Sequence, residues 1–160
     1  MLDCRAMTYR KLIVAVDNDH SNDQVCDRAL AIAESCDAQL LLMHVVEPPT
    51  APVVPGIAGG ISVSSLPLDE EAQAKLIADN RTQLEAIAAK LGDRVVAQRV
   101  VESAIIRESV HQAAIDFGAD LIVAGSHGRH GLSLFFTGST TSDLLKNAPC
   151  DILAVRIAED

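Results

Sequence analysis

Aromatic side chains are almost missing from this chain. Three Phe, one Tyr and no Trp make up 2% of 160 residues, although 49% are hydrophobic. Any core must therefore be built from Val, Ile, Leu and Ala. Basic residues are also in deficit: 13 Lys and Arg face 22 Asp and Glu, for a net charge of −9 and an isoelectric point near 4.9. That balance offers no basic face and excludes a general nucleic-acid binder. No apolar run is long enough to cross a bilayer, so membrane insertion is not expected. The stretch from Met1 to Met7 lacks the apolar centre of a secretion signal. Cys4, Cys26, Cys36 and Cys150 form neither a C-x-x-C pair nor a metal-ligand spacing. They read as buried free thiols without a functional role. These exclusions leave a soluble cytoplasmic protein, and 17.0 kDa suits one domain with a sizeable core.

What is present is an alternation of apolar runs and amphipathic stretches. Lys11 to Val16 is a continuous apolar run, as expected of a strand covered on both faces, and Gln39 to Val46 is another. Between them, Ser21-Asn-Asp-Gln24 resembles a capping box, followed by Val25, Cys26, Ala29, Leu30, Ile32 and Ala33 at helical spacing. Residues 48–67 are rich in Pro, Gly and Ser and read as a flexible loop. A long helix follows from Leu68 to Leu91, with a stripe of Leu76, Ile77, Leu84, Ile87, Ala88 and Leu91 and with Gly92 as its C-cap. Arg94 to Val101 alternates more than the other runs, which suits an edge strand. Ser103 is placed to cap a third helix that turns Ile106, Val110, Ala113, Ala114 and Phe117 inward and closes at Gly118. Leu121 to Ala124 forms a fourth strand, a helix begins at Ser139, and Asp151 to Arg156 forms a last strand after Pro149. The boundaries are an N-terminal extension at 1–8 and a single domain at 9–160.

Five strands alternating with four helices imply an α/β fold: an open parallel sheet in a three-layer α/β/α sandwich, Rossmann-like or flavodoxin-like, with strand order 3-2-1-4-5. Ligands of such sheets bind beyond the carboxyl ends of the strands, where the strand order reverses. Here that switch lies between strands 1 and 4, so Asp17 and Gly125 become neighbours. The segment after strand 4, Gly125-Ser-His-Gly128 and then Gly138-Ser139-Thr140, carries glycines where backbone can approach a ligand and hydroxyls at a helix start. A helix N-terminus presents unpaired N–H groups and favours phosphate. A plain turn-and-cap role would explain one of these glycines, but not all of them on the ligand face.

This segment resembles the nucleotide-binding signature of the universal stress protein family, G-x2-G-x9-G-(S/T), matched without a gap by Gly125, Gly128, Gly138 and Ser139. The resemblance runs from Tyr9 onward and takes in V-A-V-D at the end of strand 1, L-x-H-V at the end of strand 2, and A-P-C-D-I-L-A-V near the C-terminus. It departs from the family at Asn18-Asp-His20, where a small pair is frequent. It implies membership of the ATP-binding subgroup: Asp17 on the nucleoside, Val45 beside adenine, Gly125, Gly128, Gly138, Ser139 and Thr140 around the phosphates, and Ala124 as a further nucleotide-binding residue. Arg129 is placed to reach a phosphate as well. ATP, ADP or AMP is the implied ligand, with Mg²⁺ or Mn²⁺ on the phosphates. The family also implies a homodimer paired through Ile152 to Val155, with higher oligomers built from it.

The function expected is that of a stress-response regulator whose nucleotide state alters its interaction with a protein partner. No general base or arginine finger is evident, so no dedicated catalysis beyond slow ATP hydrolysis is expected. Asp17 and Asp19 also suggest a phospho-accepting receiver domain, but strand 3 ends Val101-Glu102 where an acceptor Asp is needed, and Arg156 stands where a Lys is needed. An adenylate-forming or pyrophosphatase relative would need an S-G-G-x-D-S loop in place of Asp17-Asn-Asp-His20. A structural dimer without nucleotide leaves the signature unexplained. His20, His127 and His130 lack a metal-binding frame and read as exposed loop residues. His44 reads as packed, His111 lies on the third helix, and Phe135 and Phe136 read as loop anchors.

Overall fold

The computed structural model describes residues 9–17, 22–48, 70–125 and 147–157. The elements run β1 (Lys11–Ala15), α1 (Asn22–Cys36), β2 (Gln39–Val46), α2 (Glu70–Leu91), a short 3₁₀ turn (Gly92–Arg94), β3 (Val95–Glu102), α3 (Ile106–Phe117), β4 (Leu121–Gly125) and β5 (Asp151–Val155). The five strands form one parallel sheet in the order β3-β2-β1-β4-β5, as the alternation implied. The helix expected from Ser139, the cap Ser21 and most of the 48–67 loop lie outside the described residues.

The layers follow from the strand patterns. β1 and β2 are central, and Leu12, Ile13, Val14, Leu40, Leu42 and Met43 are wholly buried because helices cover both faces of the sheet. On one face, Leu12, Val14, Leu40 and Leu42 pack against Val25, Ala29 and Ala33 of α1 and Leu84, Ala88 and Leu91 of α2. On the other, Ile13, Leu41, Met43 and Ile122 pack against Val110, Ala113 and Ala114 of α3. Each such Leu or Ile side chain contributes about 1.5–3 kcal/mol on burial. With so few aromatics, small Ala residues on the helices allow the aliphatic sheet residues to interdigitate closely.

Strand starts are tied together by one carboxylate. Asp120, which leads into β4, accepts hydrogen bonds from the backbone N–H groups of Arg10 (2.8 Å) and Lys11 (3.1 Å) at the entry to β1. β3 lies at the edge, as its alternation suggested, and its register with β2 shifts between Leu40 and Leu41, leaving Val96 half exposed. α3 closes at Gly118, which takes a left-handed φ of 68° and donates its N–H to the carbonyls of Ala114 and Ile115.

Two details of the helices depart from expectation. Leu76 is 40% exposed and does not join the buried stripe of α2; Asn80 turns inward in its place. Its Nδ2 donates to the Leu76 carbonyl at 2.7 Å, so the amide enters the interior already hydrogen-bonded. Ser103 does not cap α3. The helix begins later, at Ile106, with no side-chain cap, and the Ser103 hydroxyl instead accepts the Ile105 N–H at 3.1 Å in a local turn. The thiols of Cys26, Cys36 and Cys150 are free, Cys26 buried and the other two half-buried.

Candidate functional site

The carboxyl ends of β1 and β2 meet the start of α3 at one place. The register pairs Ala15 with Ala124 and Met43 with Ala15, so Asp17 leaves β1 between the ends of β2 and β4. A shallow open cleft lies there, lined by Ala15, Val16, Asp17, Met43, His44, Val45, Ile106 and Val110. It is apolar apart from Asp17 and His44. Asp17 and Val45, the residues expected on the nucleoside side, both line this cleft.

Alternation along the strands sorts the lining. Ile13 and Met43 face the α3 layer, so Asp17 and Val45, an even number of residues further on, start from the same face of the sheet. Ile106 and Val110, one turn apart on α3, form the opposite wall. The spacing of these two residues on α3 marked them as core, and nothing in it distinguished a cleft wall from a packed interior.

The end of β1 is held in place by hydrogen bonds. Val16 N–H donates to the Met43 carbonyl at 2.9 Å. The Val16 carbonyl accepts from His44 Nδ1 at 2.9 Å, which settles His44 as a packed residue and gives it a purpose. The Asp17 N–H donates to Asn22 Oδ1 at 2.9 Å, and the Asp17 carbonyl accepts from Asn22 Nδ2. Asn22 is the first residue of α1 and is buried. Sequence reasoning missed it, because its only signal was an Asn inside an apparent capping box.

Ala124 and Gly125 end β4 beside β1. Gly125 was expected to let the backbone turn toward a ligand. Positive φ values among the described glycines belong to Gly92 and Gly118, not Gly125. Its missing side chain leaves room for close packing: a Cβ there would lie 2.6 Å from Ile157 Cδ1 and 3.3 Å from Val25 Cγ2. Gly128, Arg129, Gly138, Ser139 and Thr140 lie outside the described residues, as do His20, His127, His130, Phe135 and Phe136.

Electrostatics near the site are sparse. His111, beside Val110 on α3, is held below its ordinary pKa of 6.5, chiefly by burial and then by the Arg107 guanidinium. Its Nε2 is buried with no hydrogen-bond partner among the described residues. Burial pushes the Cys26 thiol up to about 11, helped by Asp23 and Asp27. Among the described residues no group of three or more His, Cys, Asp and Glu is placed to hold a metal, and no helix is long and apolar enough to cross a membrane.

β5 forms one edge of the sheet, pairing with β4 on one side only among the described residues. Along it Val155 is buried, Ile152 and Leu153 are half-buried, and Ala154 is exposed.

Comparison with known proteins agrees with this architecture. The sequence profile of the universal stress protein family matches residues 8–156. Universal stress protein A homolog 2 of Coxiella burnetii is 34% identical over 151 residues, covering 93% of this chain and 96% of that protein. A universal stress protein solved in complex with cAMP superposes with a TM-score of 0.59 at 22% identity, covering 92% of this chain and 97% of that one. The universal stress protein from Archaeoglobus fulgidus in complex with dAMP gives 0.54 at 17% identity, covering 95% of this chain and all of that one (100%).

Proposed function

Because the chain belongs to the universal stress protein family, we propose that it is an ATP-binding regulatory protein whose nucleotide state alters its interaction with a protein partner. One observation carries this reading: Asp17 and Val45 line a single apolar cleft beside the end of β4, from which the glycine signature departs. The cleft walls suit a purine ring, whose burial would be favourable at about 25 cal/mol per Å² of apolar surface. Asp17 is an acceptor suited to ribose hydroxyls. From their sequence pattern, Gly128, Gly138, Ser139 and Thr140 supply N–H groups and hydroxyls to the phosphates, with Arg129 as a charged donor. Mg²⁺ or Mn²⁺ would be held mainly by phosphate oxygens and water, which suits a site poor in carboxylates. The relatives' complexes with cAMP and dAMP support an adenine nucleotide, with ADP and AMP as further states.

The outer edge of β5 offers backbone donors and acceptors from Ile152 to Val155 for pairing with a second copy, as a homodimer or a unit of a larger oligomer. Hydrolysis is expected to be slow at most, and the cytoplasm is the expected compartment. A receiver-type phospho-acceptor fits less well. β3 and β1 are separated by β2, so Glu102 and Asp17 end strands that are not adjacent. Both Glu102 carboxylate oxygens also accept from Gln73 Nε2, at 2.5 and 2.6 Å.

The test is direct. Protein purified without added nucleotide is denatured and the released small molecules are weighed by mass spectrometry, with ATP expected. Equilibrium binding of labelled ATP is then compared between wild type and Gly128→Ala/Ser139→Ala. Equal affinity in the two proteins refutes the phosphate site.

A further inference from the structure

We propose that Asn22 is the positioning residue for Asp17 in nucleotide binding. The proposal rests on the ATP reading and names how one of its contacts is held in place.

Up to Val16 the backbone is held by neighbouring strands, its N–H on the Met43 carbonyl. At Asp17 the chain leaves the sheet, and one side chain takes over both backbone groups: Asn22 Oδ1 accepts from the Asp17 N–H, and Asn22 Nδ2 donates to the Asp17 carbonyl. A planar amide carries one acceptor and one donor side by side, so it pairs with a residue's backbone as a further strand would. Aspartate lacks the donor, and glutamine sets the same head one methylene further out. The orientation of the amide needs no choice, since the Asp17 N–H faces only an acceptor and its carbonyl only a donor. Asn22 is 8% exposed, so water competes little for these bonds.

The consequence is a fixed backbone under a functional carboxylate. With His44 on the Val16 carbonyl, every backbone N–H and C=O of Val16 and Asp17 is engaged. The strand end therefore presents its side chain, not its main chain, to the cleft. Without Asn22, the Asp17 backbone loses both of these hydrogen bonds at the junction of a strand and a connection. A carboxylate that must be re-ordered on binding loses affinity without losing its charge.

ATP affinity is measured by calorimetry on the full chain for wild type, Asn22→Ala, Asp17→Asn and the double variant. Asn22→Ala is expected to weaken binding about ten-fold, the scale of one buried hydrogen-bonded pair. In the Asp17→Asn background the same change should cost less than about two-fold, because the residue it positions is already disabled. Independent losses that multiply in the double variant, or an Asn22→Ala protein that binds like wild type, overturn the positioning role alone. An Asp17→Asn protein that binds like wild type overturns the nucleotide reading at Asp17 as well. Should Asn22→Ala fail to fold, Asn22→Ser takes its place: serine suits a helix start, but its hydroxyl cannot span both groups of Asp17.

Discussion

Replacing Gly125 by Ala introduces a methyl group where two side chains already stand. Its Cβ would lie 2.6 Å from Ile157 Cδ1, 3.6 Å from Ile157 Cγ1 and 3.3 Å from Val25 Cγ2. Unstrained carbon atoms sit about 3.5–4.0 Å apart. The Ile157 methyl ends a rotatable chain and can swing aside at modest cost. Val25 is 2% exposed on α1 and, being β-branched, has little rotamer freedom, so it must shift with its helix. The reduced entropy of the unfolded chain offsets part of the strain, by about 0.4–1 kcal/mol. A net loss of about 1–2 kcal/mol is expected, at the lower part of the range for overpacking. For a chain of this size that is about 2–8 °C in melting temperature. Ile157→Val removes the methyl at 2.6 Å and by itself costs about 0.5–1 kcal/mol. The two changes together should cost less than their sum, read from urea-unfolding midpoints. Additive losses, or a Gly125→Ala protein as stable as wild type, would refute the packing argument. ATP binding by the double variant at wild-type strength would assign Gly125 to packing, and a persistent loss would return it to the phosphate site.

Two further outcomes follow from the described geometry. His44→Leu keeps the volume but strands the buried Val16 carbonyl, and should cost about 1–3 kcal/mol in urea unfolding; unchanged stability would mean that water replaces the imidazole there. Cys26 ionises near its ordinary value of 9.0 when unfolded and only at about 11 when folded. Above pH 9 the unfolded chain therefore holds fewer protons at this residue than the folded one, and stability falls as pH rises. Cys26→Ala should flatten that alkaline fall relative to wild type, measured between pH 8.5 and 10.5 in buffered urea; parallel curves would place the cause elsewhere.

Much of the frame was legible in the residues. β1 and β2 were recognisable as central strands because parallel strands covered on both faces are apolar without a break, and β3 as an edge because it alternates. Gly118 was recognisable as a helix end because few residues other than glycine take φ near 68° readily. Leu76 misled because the apolar stripe of a helix shows which residues can be buried, while docking on the sheet decides which are. Asn80 went inward because its own helix supplied the acceptor for its amide. Ser103 misled because a serine before an apolar stripe looks like a cap wherever the strand before it ends. Here its N–H still bonds the Val46 carbonyl, extending the pairing with β2, and its hydroxyl is used two residues ahead.

The site divides in the same way. The glycine pattern after β4 and the acid after β1 are local signals, carried by conformational freedom and charge, and both could be read from single stretches. That the ends of β1 and β4 lie side by side depends on the strand order, which a stretch does not contain. The packing of Ile157 and Val25 over Gly125 and the hold of Asn22 on Asp17 depend on it further. Sequence by itself determined the alternation of strands and helices and the chemistry available at their ends. Only the tertiary structure decided which side chains pack and pair at those ends, because hydrophobic burial is non-directional and register and packing set the contacts.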